Sequence, residues 1–110
     1  MNEMLKNLIS SKKRIVGYGA SGRGTILLNY CNINTRSIEY IVDESPLRAG
    51  KLMPGVKVPI FDIDYFKKDN ANIDYLLVIA WNYTDSIVKK VKKINKDIKF
   101  IIPFPYPHII

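Results

Sequence analysis

The sequence predicts an α/β fold, a doubly wound and mostly parallel sheet of about four to five strands with helices on both faces, and three features predict it. Short apolar runs alternate with stretches of helical periodicity, the pattern of βαβ units joined by right-handed crossovers. The run DYLLVIA, Asp74 to Ala80, is almost continuously apolar over the length of one strand, as expected of a central strand covered on both sides. Finally, GYGASGRG packs four glycines into eight residues between an apolar pair, Ile15-Val16, and a helical pattern, which is where a Rossmann-like fold turns from its first strand into its first helix.

Each element follows from its local pattern. From Asn2 to Ser10, Met4, Leu5, Leu8 and Ile9 fall on one side of a short helix. Arg14 to Tyr18 reads as a buried strand, and helix resumes from about Gly22 to Cys31. Asn32 to Arg36 is polar turn material. Ser37 to Val42, rich in β-branched and aromatic residues, predicts a second strand ending at Asp43. Glu44 to Val58 holds two prolines and two glycines and reads as an excursion, with at most a short strand near Val56 to Val58. Asp62 is placed to cap a helix over Ile63 to Lys68. Thr84 to Asn95 is a basic amphipathic helix, Lys99 to Ile102 the last strand, and Pro103 closes it. The tail PFPYPHII carries three prolines in eight residues, so it is extended and cannot be an inner strand.

One domain over 1–110 is expected, with an N-terminal helix (1–13), a core (14–103) and an extended tail (104–110). Hydrophobic residues at 47% and charged ones at 25% exclude the disordered class. No apolar run approaches bilayer-crossing length and no secretory leader is evident, so a cytoplasmic location and no membrane partner are expected. A single cysteine, Cys31, and a single histidine, His108, provide neither an internal disulfide nor a zinc cluster, so no metal site is expected. The net charge of +7 permits polyanion binding. Lys89, Lys90, Lys92 and Lys93, however, interleave with Ile87, Val88, Val91 and Ile94 at helical spacing, which makes them a solvated helix face rather than a nucleic-acid surface. Tyr18, Tyr30, Tyr40 and Tyr75 are expected to pack in the core.

The glycine stretch carries the functional signal. Gly17-x-Gly19-x-x-Gly22 matches the dinucleotide fingerprint in its required strand–loop–helix context. Gly17 would allow the tight turn, Gly19 (followed by Ala20) the approach of a pyrophosphate to the backbone, and Gly22 close helix packing. Helix-start N–H groups would complete an anion site. Ser21, Arg23 and Gly24 add a hydroxyl, a guanidinium and a further open backbone. Asp43, 21 residues beyond Gly22, stands where an acid accepts ribose hydroxyls, or else it only starts the turn Asp43-Glu44-Ser45-Pro46. Trp81 and Asn82 follow DYLLVIA and would open at the switch point of the sheet. Trp81 stacks on a ligand or packs at an interface, and Asn82 touches a ligand or caps the next helix.

Taken together, GYGASGRGTILLNYC, IEYIVDESPLRAGKLMPGVKVPI, DYLLVIAWNY and FIIPFP resemble, in order and spacing, the C-terminal domain of bacterial S-adenosylmethionine-dependent sugar C-methyltransferases. The resemblance implies a domain that helps hold the nucleotide part of a nucleoside-diphosphate sugar, with Gly17, Gly19, Ser21, Arg23, Gly24, Asp43, Trp81 and Asn82 facing the ligand. Lys57 stands where that family often has histidine. The resemblance also implies that the methyl donor binds to a separate methyltransferase domain, in cis or trans. Methyl-donor loops usually follow an acidic residue, but Ile15-Val16 precede Gly17 here. No cofactor and no catalytic residue are therefore expected in this chain. Two other readings stand beside this one: a nucleotide- or coenzyme A-binding domain of a polysaccharide-biosynthesis enzyme, and an interaction domain without a ligand.

Overall fold

The computed structural model describes residues 2–20, 26–29, 33, 35–45, 47–53, 55–103 and 106–110. Among them the chain runs through helix α1 (Asn2–Ser10), strand β1 (Ile15–Tyr18), four helical residues at 26–29, and strands β2 (Ile41–Val42) and β3 (Ile60–Phe61). Helix α2 (Ile63–Asp69), strand β4 (Tyr75–Val78), helix α3 (Thr84–Ile94) and strands β5 (Lys99–Ile102) and β6 (His108–Ile109) complete it. The six strands lie in the order β3-β2-β1-β4-β5-β6. All neighbours are parallel except β5 and β6, which are antiparallel.

Strands alternate side chains between faces, and the central strands divide the core into two layers. Ile15, Leu77, Ile79 and Ile101 join Leu5 of α1, Leu28, Met53 and Ile60 on one face. On the other, Val16, Leu76, Val78 and Phe100 pack with Phe66 of α2 and Ile87 and Val91 of α3. Leu76 and Leu77 are both completely buried although they are consecutive, which confirms a strand covered on both sides. The parallel register of Val16 with Leu76 and Gly17 with Leu77 locks that alternation, because a one-residue slip would exchange the two faces.

The sheet differs from the expectation in three places. It has six strands rather than four to five, the additional one being the tail. The tail is extended and peripheral as expected, yet His108–Ile109 pairs with β5, and Phe100 and Ile110 exchange backbone bonds of 3.1 and 2.8 Å that cover the sheet edge. β2 holds only Ile41–Val42 of the expected Ser37 to Val42, since the chain bends at 35–39 before joining β1. The short strand expected near Val56 to Val58 lies instead at Ile60–Phe61. Residues 50–60 fold back on themselves: Gly50 N–H donates to the Ile60 carbonyl and Ile60 N–H to the Lys51 carbonyl, both at 2.8 Å. Gly50, at φ +85°, and Gly55, at φ +83°, supply the left-handed conformations of that fold-back.

The ends of the helices are fixed as the sequence suggests at α2. The Asp62 side chain accepts the Tyr65 N–H at 2.9 Å, and Lys67 and Lys68 lie in the last turn, where the helix dipole favours cations. α3 is different. A 3-10 turn over Trp81–Tyr83 leads into it, no side chain caps it, and the Thr84 hydroxyl donates to the Trp81 carbonyl at 2.6 Å. Asn82 is therefore not its cap. Ile87 and Val91 of α3 are buried while Lys89, Lys90, Lys92 and Lys93 are exposed, so the basic run is the solvated face of that helix. At the N-terminal end of the strands, Arg14 binds both Glu39 oxygens at 2.7 and 3.0 Å and Asp69 at 3.1 Å, while the Tyr40 hydroxyl donates to Asp69 at 2.7 Å. No helix among the described residues is long and apolar enough to cross a membrane.

Candidate functional site

In strand order 3-2-1-4-5 the connections from β1 and from β4 leave the sheet in opposite directions, opening a crevice between their C-terminal ends. The chain leaves β1 under tight control. Gly19 donates to the Val42 carbonyl at 2.8 Å, and the Tyr18 carbonyl receives both the Ile79 and Ala80 N–H groups at 3.0 and 3.2 Å. The segment after β1 is thus tied to β2 on one side and β4 on the other.

The glycines divide the work differently from the expectation. Gly17 lies inside β1, where a Cβ would stand 2.6 Å from Ile79 Cδ1, so it serves packing and not the turn. Gly19 makes the turn: its φ is +96°, and a Cβ there would fall 2.5 Å from the Ala80 Cβ. Gly19 thereby lets the turn pack directly against Ala80 at the switch point. Ser21, Gly22, Arg23 and Gly24 lie outside the described residues, as do Tyr30 and Cys31.

Asp43 is the only buried charged residue among those described. Its Oδ2 accepts the Ala20 N–H at 2.7 Å and the Arg48 guanidinium at 3.3 Å, and its Oδ1 accepts the Ser45 N–H at 2.7 Å. These bonds compensate the burial of the carboxylate and hold it at the mouth of the crevice. A carboxylate offers about four acceptor positions, of which the described residues occupy three.

A cleft of about 340 Å³ opens here between the ends of β1 and β2 and the side of α3. Tyr18, Gly19, Asp43, Glu44, Ala80, Tyr83, Ser86, Ile87 and Lys90 line it. Gly19 and Asp43 thus meet at one cleft, although Trp81 and Asn82 do not line it; they stand on the 3-10 turn beside it. Sequence reasoning missed Glu44, Tyr83, Ser86 and Lys90. A weak signal existed, since Tyr83, Ser86, Ile87 and Lys90 recur at helical spacing along one side of α3 and the turn before it. Lys90 donates to both Glu44 oxygens at 2.6 and 2.8 Å, joining α3 to the segment after β2.

Tyr18 is the other unforeseen member of the site. It packs in the core as expected, and its buried hydroxyl lies beside the Glu44 carboxylate. Burial, reinforced by the negative charge of Glu44 and Asp43 and by hydrogen bonding to Glu44, pushes its pKa up to about 12. Among the described residues no group of three or more histidine, cysteine and carboxylate side chains is arranged to hold a metal.

Comparison with known proteins agrees with this architecture. The solved structure of UDP-D-quinovosamine 4-dehydrogenase from Vibrio fischeri superposes with a TM-score of 0.60 over 82% of this chain and 76% of that one, at 15% identity. A Rex-family repressor, RSP, matches with a TM-score of 0.52 over 96% of this chain and 53% of that one, at 19% identity. At such identities the likeness is one of fold, and it is the Rossmann-like fold. Among curated proteins, the C-methyltransferase NovU of Streptomyces niveus is 31% identical over 111 aligned residues, which take in all of this chain and 26% of that protein. The chain thus spans about a quarter of the length of that relative. The family model described as the C-methyltransferase C-terminal domain matches residues 1–105. With nearly the whole chain matched, it belongs to the family of C-methyltransferase C-terminal domains.

Proposed function

We propose that this chain is the nucleotide-sugar-binding part of an S-adenosylmethionine-dependent sugar C-methyltransferase, not catalytic by itself. The ligand's diphosphate lies on the loop from Gly17 to Gly24 and its ribose at Asp43. Ala20 forms part of the loop wall, Ser21 supplies a hydroxyl donor, Arg23 the opposing charge, and Trp81 and Asn82 the neighbouring wall. The methyl donor binds to a methyltransferase domain in cis or trans, and the setting is cytoplasmic. The observation that carries this reading is the meeting of Gly19, at positive φ in the turn that leaves β1, and the buried Asp43 carboxylate at one cleft of the sheet's switch point. A glycine turn after the first strand suits phosphate oxygens, and a fixed carboxylate suits a ribose diol.

Calorimetric titration with a nucleoside-diphosphate sugar tests the reading. Saturable binding is expected, weakened by salt, with Arg23→Ala lowering the affinity and flattening its salt dependence. An absence of binding at millimolar ligand by the folded chain contradicts it, and methyl transfer catalysed by this chain alone contradicts its non-catalytic part.

A further inference from the structure

The C-terminal ends of α2 and α3 carry positive charge that the fold itself leaves uncompensated. Each helix has an acid in its first turn, Asp64 in α2 and Asp85 in α3, and its lysines further on: Lys67 and Lys68 in α2, and Lys89, Lys92 and Lys93 in α3. α2 also ends on Asp69, but that carboxylate is taken by Arg14 at 3.1 Å and by the Tyr40 hydroxyl at 2.7 Å. The two helix ends stand together, because the Asn95 side-chain amide, just past α3, donates to the Asn70 carbonyl, just past α2, at 3.1 Å. Lys96 and Asp97 follow with opposite charges. The lysines of the two helix ends are exposed, and the ion pairs among the described residues, made by Arg14, Arg48 and Lys90, include none of Lys67, Lys68, Lys89, Lys92 and Lys93. Lys89 lies three and four residues before Lys92 and Lys93, so these side chains share a face and repel one another. The helix dipole favours a cation at a C-terminus, but crowding like charges onto one face works against that gain.

We propose that this basic end is a docking surface for an acidic segment of a partner protein. Charge complementarity selects the occupant. Closely spaced ammonium groups without counter-charges gain from carboxylates arriving at comparable spacing, and docking relieves the repulsion they carry in the free chain. The surface presents point charges, whereas the groups that would read base edges are engaged within the fold: Arg14 is bound to Glu39 and Asp69, the Asn70 amide donates to the Lys67 carbonyl at 2.6 Å, and the Asn95 amide to Asn70. That favours an acidic protein over a nucleic acid. Helices that link parallel strands run back against them, so these helix ends lie at the opposite end of the sheet from Gly19 and Asp43. A partner held there leaves the crevice open, and the inference does not depend on what the crevice binds.

The test is calorimetric titration of the chain with an oligoglutamate peptide at low salt. Saturable binding is expected, weakening as salt rises. Reversing two charges, Lys92→Glu with Lys93→Glu, should lower the affinity at least about tenfold. The pair Lys51→Glu with Lys57→Glu makes the same change in net charge in the fold-back of residues 50–60, and should lower it less than about threefold. No binding by the unaltered chain, or equal losses in the two pairs, overturns the inference, since equal losses mean that net charge alone attracts the peptide. An equal concentration of a short DNA duplex should not displace the peptide; displacement assigns the surface to nucleic acid and overturns the inference as well. A saturating nucleoside-diphosphate sugar should leave the peptide's affinity unchanged, and competition between the two would put the peptide in the crevice instead. Lys92→Gln with Lys93→Gln should melt no lower than the original while losing peptide affinity. A lower melting temperature would mean that these lysines serve the end of α3, and the docking role would fall.

Discussion

The Asp43 carboxylate accepts the Ala20 N–H at 2.7 Å, joining the end of β2 to the turn that leaves β1. The bond is buried, and its acceptor also receives the Ser45 N–H through the other oxygen at 2.7 Å. One side chain thus fixes two loops of the crevice while presenting its charge there. Asp43→Asn replaces an acceptor with a donor against at least one of these N–H groups. It should cost about 1–3 kcal/mol of stability, the range for a lost charged hydrogen bond, measured by urea denaturation. Nucleotide binding should fall by a similar amount, read separately by titration well below the midpoint. A stability change within 0.5 kcal/mol, on the order of an ordinary surface substitution, would place the bond outside the framework of the site.

Gly19 and Gly50 share a positive φ but not their surroundings. A Cβ at Gly19 would meet Ala80 at 2.5 Å, whereas at Gly50 nothing lies within 4 Å. Gly50→Ala should therefore carry only left-handed backbone strain, about 1 kcal/mol, and Gly19→Ala that strain plus a collision with a short side chain and its backbone, about 3 kcal/mol or more. Equal midpoints in denaturant for the two variants would contradict the assigned close approach.

Leu76 and Leu77 test the two-sided burial of β4. Each is completely buried, one in each core layer. Leu76→Ala and Leu77→Ala should each cost about 2–5 kcal/mol, since each removes buried methyl groups and leaves a cavity. A near-neutral result at either position would mean that one face of the strand is wet.

Alkaline pH should weaken the fold through two tyrosines. Burial raises Tyr18 from 10.0 to about 12, and it raises Tyr40 further, aided by the bond from its hydroxyl to Asp69 and by that carboxylate's charge. Below pH 10 both are neutral, folded or unfolded, and their contribution is complete. From pH 10 upward the unfolded chain releases these protons first, so stability falls until the folded phenols ionise as well. The slope approaches about 1.4 kcal/mol per pH unit for each tyrosine. Denaturant midpoints should decline from pH 10 to 12, less steeply in Tyr18→Phe, with tyrosinate absorbance of the native chain delayed. A flat profile would contradict the assigned burial.

Much of this arrangement was legible in the sequence because strong local patterns agree with the tertiary fold. The DYLLVIA run became β4, Asp62 became the α2 cap, and the lysines of α3 took the wet face. What escaped depended on partners distant in the chain. The two-residue strand β3 has no periodicity to detect, and β6 follows prolines and exists through its pairing with Phe100 to Ile102. The cap position of Asn82 was overridden by the 3-10 turn that carries the chain from Ala80 into α3. At the site, the fingerprint spacing located the turn but assigned it to Gly17. Only the packing of Ile79 against Gly17, and of Ala80 against Gly19, separates the strand glycine from the turn glycine. The cleft itself combines residues from β1, β2 and α3, and no single window of sequence contains them.

The most direct measurement is an NMR titration of the isotope-labelled chain with a nucleoside-diphosphate sugar, following backbone amides. The account predicts saturable shifts concentrated at Gly19, Ala20 and Ser21 and at residues beside Asp43, with α1 and the β5–β6 edge unmoved. Amides of the Gly17 to Gly24 loop that stay in place at millimolar ligand, in a chain whose spectrum shows it folded, would contradict it.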